Sequence, residues 1–282
     1  MSSARPRAYA QVDVFASTPY LGNPVGVVLD AVGVTDEDMQ RVARWTNLSE
    51  TTFVFPPTTA EADYKLRIFT PGGELPFAGH PTLGSAYAWR EHGGIPRSSE
   101  RIVQECVAGL VEVRSDGDAL SFAAPPTVRS GPLEETFVGD IVAAFGIDRE
   151  RILAHQWVDN GPGWAAVELA TAEEVLALEP DLSIIPHAMV GAIGAYPAGS
   201  DRAYELRTFA PAVGVSEDPV CGSMNASIAQ WFSRERDIPP TYQVSQGARV
   251  GRAGTISITA GESNGIWVGG HCTSLIVGSI TL

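Results

Sequence analysis

The sequence predicts an α+β protein of two pseudo-symmetric domains, each a curled antiparallel or mixed sheet around a central helix. Three observations carry that prediction. The chain repeats itself at long range, two helical segments are small or apolar nearly all round, and most of the remainder alternates like strand between glycine and proline turns.

The repeat comes first. Tyr64-Lys-Leu-Arg-Ile-Phe-Thr-Pro71 and Tyr204-Glu-Leu-Arg-Thr-Phe-Ala-Pro211 agree at five of eight positions at an offset of 140. His80-Pro81-Thr82-Leu83-Gly84-Ser85 answers Asp218-Pro219-Val220-Cys221-Gly222-Ser223 at an offset of 138, and Gln104 to Gly109 answers Gln246 to Gly251. Three echoes in the same order predict two homologous halves. They place an N-terminal half at 1–126, joined by a C-terminal strand at 268–282, and a C-terminal half at 127–267. Pro125–Pro132 has the turn-rich composition of a link.

Each half shares a local grammar: an alternating strand, a loop with Pro and Gly, then an X-Pro dipeptide opening a helix. Proline suits a first helical position, so His80 and Asp218 are expected at the N-caps of helices over 81–92 and 219–233. The first carries Leu83, Gly84, Ala86, Tyr87, Ala88 and Trp89; the second Met224, Ala226, Ile228, Ala229, Trp231 and Phe232. Helices of that composition are buried on most sides. Strands are expected at Arg101–Arg114, Leu120–Ala123, Trp164–Leu169, Tyr242–Val244, Thr255–Thr259, Gly265–Val268 and Leu275–Leu282. A further helix at 36–46 is signalled by Thr35 with Asp38 three residues on, and it ends at Asn47. Segments 134–145 and 172–178 read as two more.

The 282 residues are 44% hydrophobic and 18% charged, enough apolar content for a sizeable core. The net charge of −14 disfavours nucleic acid and anionic membrane surfaces as partners. A small anionic substrate stays open, because a local site can be positive. The three cysteines form no CxxC pair, and the histidines lack ligand spacing, so no metal site is expected. No secretory signal and no apolar run of membrane-spanning length is read, and a cytoplasmic protein is expected. Gly161-Pro-Gly163-Trp-Ala-Ala166 resembles a dinucleotide fingerprint, but it leads into a strand-like run and reads as a hairpin turn.

The chemistry-bearing candidates follow. A helix start presents unpaired N–H groups and the positive dipole end, and it binds carboxylate or phosphate. Two such starts are expected to face each other across a cleft between the halves. His80 and Asp218 are either working groups there or simple caps. Glu50, at a helix-to-strand junction, is either a partly buried proton-transfer group or a solvated loop residue. Cys221, expected as the third residue of its helix, is either a thiol activated by the dipole or a small buried hydrophobe.

The stretches Val12-Asp13-Val14-Phe15, Gly22-Asn23-Pro24, Asn47-Leu48-Ser49-Glu50-Thr51, Phe69-Thr70-Pro71, Pro76-Phe77-Ala78-Gly79-His80-Pro81-Thr82 and Glu217-Asp218-Pro219-Val220-Cys221-Gly222-Ser223 resemble the PhzF family. This is the phenazine-biosynthesis isomerase family, of diaminopimelate epimerase-like fold, and the resemblance spans almost the whole chain. It implies two similar domains with the active site between them, cofactor-free proton-shift chemistry and a homodimer. It also implies Glu50 as general acid/base, His80 and Asp218 as active-site residues, and Gly79, Gly222 and Ser223 at the helix starts against substrate. Racemases and epimerases of this fold carry a pair of cysteine bases, one at each helix start. The first would fall at Ala78, which transfers no proton, and the second at Cys221. An isomerase with Glu50 as its acid/base is therefore expected, with an epimerase using Glu50 and Cys221, or a non-catalytic binding protein of the same fold, as alternatives.

Overall fold

A computed structural model describes residues 4–117, 119–261 and 265–282. They divide into two compact units, one running to Ala123 and completed by Gly269–Leu282, the other Ala124–Val268.

The first unit is a closed barrel. Its elements are β1 (Pro6–Val14), β2 (Asn23–Val28), α1 (Asp36–Thr46), β3 (Glu50–Phe55), β4 (Tyr64–Phe69), β5 (Glu74–Leu75), α2 (Gly79–Glu91), β6 (Arg101–Cys106), β7 (Gly109–Asp116) and β8 (Ala119–Ala123). The chain's last strand, β16 (Ile266–Thr281), completes it. Eight strands run β1-β2-β3-β4-β6-β7-β8-β16, and β16 closes back on β1. The pairs β1/β2, β3/β4 and β6/β7 are antiparallel, whereas β2/β3 and β4/β6 are parallel. A parallel pair needs a crossover, and here a helix supplies each one.

The two crossover helices differ as their sequences require. α1 is amphipathic and lies on the barrel's outside, burying Met39, Val42 and Ala43 beside Phe53 and Phe69. Thr35 caps it by accepting from the Asp38 N–H, acidic residues fill its first turn, and Asn47 ends it in the left-handed conformation. α2 is buried on nearly every side from Gly79 to Ala88 and touches β1, β2, β3, β4, β6 and β8, so it fills the barrel. Gly84 lets it come that close: a Cβ there would lie 2.4 Å from Val25 Cγ1.

The second unit contains α3 (Glu135–Phe145), β9 (Ala154–Trp157), β10 (Ala165–Leu169), α4 (Ala172–Ala177), β11 (Val190–Ala195), β12 (Tyr204–Ala210), β13 (Val215–Asp218), α5 (Gly222–Glu235), β14 (Thr241–Gln246) and β15 (Gly254–Ala260). Its strands run β9-β10-β11-β12-β14-β15, followed by the start of β16. Here β9/β10, β11/β12 and β14/β15 are antiparallel, and β10/β11 and β12/β14 are parallel. α4 and α5 make the crossovers. α5 buries Met224, Ile228, Ala229, Trp231 and Phe232, and α3 and α4 pack a separate apolar cluster on β10, β11 and Phe209.

The expected helices at 36–46, 134–145 and 172–178 form. Residues 101–114 make a hairpin, β6 and β7, because Gly109 turns the chain with φ 109°. The two strands expected at 265–268 and 275–282 are one, β16. Gly161 to Gly163 lies in the β9–β10 hairpin connection, where Asp159 accepts both glycine N–H groups. No helix of the described residues is long and apolar enough to cross a membrane.

Candidate active site

Unit by unit, the residues singled out in the sequence gather around the first turns of α2 and α5.

In the first unit, Asn47 determines where Glu50 stands. Its left-handed cap ends α1, and the chain enters β3 at Glu50, so the carboxylate occupies the strand's first position. β3 lies beside β2 with Glu50 in register with Val25, two residues past Asn23. The Glu50 side chain is only 14% exposed, and its Oε2 stands 3.2 Å from His80 Nε2. His80 is 4% exposed. Its Nδ1 lies 3.3 Å from Asn23 Nδ2, and the Asn23 Oδ1 accepts from the Ser49 hydroxyl at 3.3 Å.

Burial pushes the His80 pKa from its ordinary 6.5 down to about 3, although the Pro24 carbonyl works the other way. The imidazole is therefore neutral near pH 7, and its approach to Glu50 is that of a neutral ring to a carboxyl group. Among the described residues no aligned hydrogen bond reaches His80 Nε2.

The second unit holds Asp218, Cys221, Gly222 and Ser223. Asp218 ends β13, and its Oδ1 accepts the Val220 N–H at 3.0 Å. Glu217, just before it, is clamped through both carboxylate oxygens by the buried Arg207 on β12, at 3.0 and 2.7 Å. Gln246, fully buried on β14, braces the entry to α5. Its Oε1 accepts from the Cys221 N–H and Asn225 Nδ2, both at 3.1 Å, while its Nε2 donates to the Asp218 carbonyl at 3.0 Å. The Ser223 hydroxyl accepts from Trp164 Nε1 at 3.0 Å, and its carbonyl accepts from Asn160 Nδ2 at 3.1 Å.

Three expectations are corrected by this geometry. The N-caps are Ala78 and Cys221, and neither His80 nor Asp218 is one. α2 begins at Gly79, so His80 is its second residue and Pro81 its third. Proline is tolerated there because the first four N–H groups of a helix have no internal partner. α5 begins late because Gln246 captures the Cys221 N–H and Val220 is buried ahead of the cap, which leaves Asp218 to close a turn before the helix. Cys221 is the cap itself and not the third residue of its helix, and its thiol fits the buried of the two readings. It is buried, and that burial, together with the neighbouring Asp218 charge, pushes its pKa well up.

Sequence reasoning passes over Asn23, Arg207 and Gln246 as working residues. The signal at Asn23 is a lone amide opening the run Pro-Val-Gly-Val-Val. Arg207 and Gln246 are buried polar residues inside apolar strands, which is legible only once the strands have neighbours. No cluster of His, Cys, Asp or Glu suited to a metal occurs among the described residues.

Comparison with known proteins shows the family and the fold. The family model described as phenazine biosynthesis-like protein, PhzC-PhzF, matches residues 12–278. The chain is 36% identical to trans-2,3-dihydro-3-hydroxyanthranilate isomerase of Pseudomonas aeruginosa, over 86% of this chain and 87% of that one. It is likewise 36% identical to antisense-enhancing sequence 1 of Schizosaccharomyces pombe, over 96% and 97%. A PhzF-family crystal structure from Bacillus anthracis superposes with a TM-score of 0.81 at 24% identity, covering 99% of this chain and all of that one, and shares the fold. The chain belongs to the PhzF family. It is an isomerase, the class by which several of its curated relatives are named.

Proposed function

We propose that this isomerase moves a proton between two carbons of a small, conjugated carboxylate substrate, with Glu50 as the single acid/base and no cofactor. The observation that carries the reading is the buried approach of Glu50 Oε2 to His80 Nε2 at 3.2 Å. A carboxylate takes a proton from carbon, so that one C–H bond breaks and one O–H bond forms. It then returns the proton to a second carbon, and the carboxylate is regenerated. Neutral His80 stands against one oxygen of that carboxylate and orients the group toward the substrate.

Asp218 and the N–H groups at the starts of α2 and α5, at Gly79, Gly222 and Ser223, are proposed to bind the polar and anionic groups of the substrate and to meet the charge that develops on it. Cys221 is given no proton to move, because a buried, unactivated thiol is a poor base and Ala78 holds the corresponding cap position.

A duplicated origin is part of this reading. It is supported by the matching strand order and pairing senses of the two units and by the N-caps Ala78 and Cys221. It is also supported by Gln104 and Gln246, each of which bonds the fourth residue of the central helix in its unit, Thr82 or Asn225.

The substrate named for the Pseudomonas relative, trans-2,3-dihydro-3-hydroxyanthranilate, is the first compound to assay. Turnover by the wild-type chain is expected, with a loss of about 10²-fold or more in kcat for folded Glu50→Gln. No turnover by wild type sends the search to other cyclic amino and hydroxy acids. Equal turnover by Glu50→Gln removes Glu50 from the chemistry.

A further inference from the structure

We propose that Asn23 is a positioning residue that fixes the tautomer of His80, so that the one proton of the neutral ring sits on Nε2 and faces Glu50. The inference rests on the reading of Glu50 and His80 as the reacting pair.

The argument starts from donor and acceptor chemistry. An amide nitrogen carries only hydrogens, so Asn23 Nδ2, at 3.3 Å, donates to His80 Nδ1. The amide turns its Oδ1 to the Ser49 hydroxyl, which donates to it at 3.3 Å, and so presents Nδ2 to the ring. Nδ1 is therefore the acceptor, and the ring proton lies on Nε2, 3.2 Å from Glu50 Oε2. The Pro24 carbonyl also lies near the ring and is the competing acceptor for its one proton.

The chain spends conformational strain to place this amide. Asp13 accepts the Gly22 N–H at 3.1 Å and folds the loop after β1 back on itself. Only glycine fits at that return, since a Cβ on Gly22 would lie 2.2 Å from the Val14 carbonyl oxygen. Within the loop, Phe15 and Tyr20 hold φ of 68° and 70°, a region that side chains other than glycine rarely adopt. Such positions persist where the surrounding structure over-determines them, and they cluster at working sites. The second unit uses an amide differently: Asn160, in the loop before β10, donates to the backbone carbonyl of Ser223, the second residue of α5, and orients no side chain there.

The test is the ring nitrogen spectrum of His80 in the ¹⁵N-labelled full chain at neutral pH, joined to kinetics of Asn23→Asp and Ser49→Ala on the substrate that wild type turns over. Wild type is expected to show a neutral ring protonated on Nε2. Asn23→Asp presents an acceptor to Nδ1, so the proton moves to Nδ1 and kcat falls at least about tenfold with little change in KM. Ser49→Ala frees the amide to flip and gives a mixture of tautomers. A wild-type ring protonated on Nδ1 overturns the inference without any variant being needed. So does a folded Asn23→Asp chain that keeps the Nε2 proton and full kcat. Full activity in Glu50→Gln would instead sink the reading of the site, while leaving the tautomer measured.

Discussion

At the scale of single residues, burial decides what each group does. His80 lies inside a barrel with its pKa near 3, whereas the unfolded chain offers it water and a value near 6.5. Between those values the unfolded state binds a proton that the folded state refuses. Stability contributed by the neutral ring is thus fully present above about pH 6.5 and is lost as pH falls toward 3. The slope cannot exceed about 1.4 kcal/mol per pH unit for one group. Urea midpoints at pH 7, 5 and 4 should therefore fall more steeply for wild type than for His80→Gln; parallel curves would mean that the folded ring accepts a proton readily. The same argument separates His80 from Cys221. Both are buried at a helix start, but the thiol is held in its protonated form, so only the imidazole is matched to a carboxylate partner.

At the scale of elements, one buried amide sets where α5 begins. Gln246 holds the Cys221 N–H, the Asn225 side chain, the Asp218 carbonyl and the Thr208 hydroxyl. Removing it leaves several buried polar groups without partners, each costing about 1–3 kcal/mol. Gln246→Leu should destabilise the chain by about 2–4 kcal/mol, read from the denaturant midpoint followed through the buried Trp231; a change under about 0.5 kcal/mol would show that the entry to α5 holds itself. This brace also explains where the sequence misleads. Aligning His80-Pro81 with Asp218-Pro219 assumes that both prolines open their helices. Pro81 sits inside the first turn of α2, while Pro219 precedes the cap of α5 in a bend that Gln246 holds. Local rules cannot see a constraint arriving from β14.

At the scale of the molecule, Glu50, His80, Asp218 and Cys221 stand out in the sequence by residue type and position, but the register of their setting does not. The helices at 36–46, 134–145 and 172–178 could be read because their caps and apolar faces are local. The buried composition of α2 marked a helix with sheet on every side, which is the barrel it fills. The sequence assigns a C-terminal strand to the first half, but the pairing of that strand with β1, which closes the barrel, could not be read. Glu50 was visible only as a carboxylate at a junction; its approach to His80 depends on β2, β3 and α2 packing together. At a net charge of −14, the anionic substrate of the proposed function would be held by helix starts and polar side chains rather than by a basic patch.

The central claim is that the Glu50 carboxyl carries the proton, and turnover in deuterium oxide tests it most directly. Mass spectrometry of recovered substrate and product should show deuterium bonded to carbon with wild type and none above the enzyme-free control with folded Glu50→Gln. Equal carbon-bound deuterium from the two proteins would contradict the account.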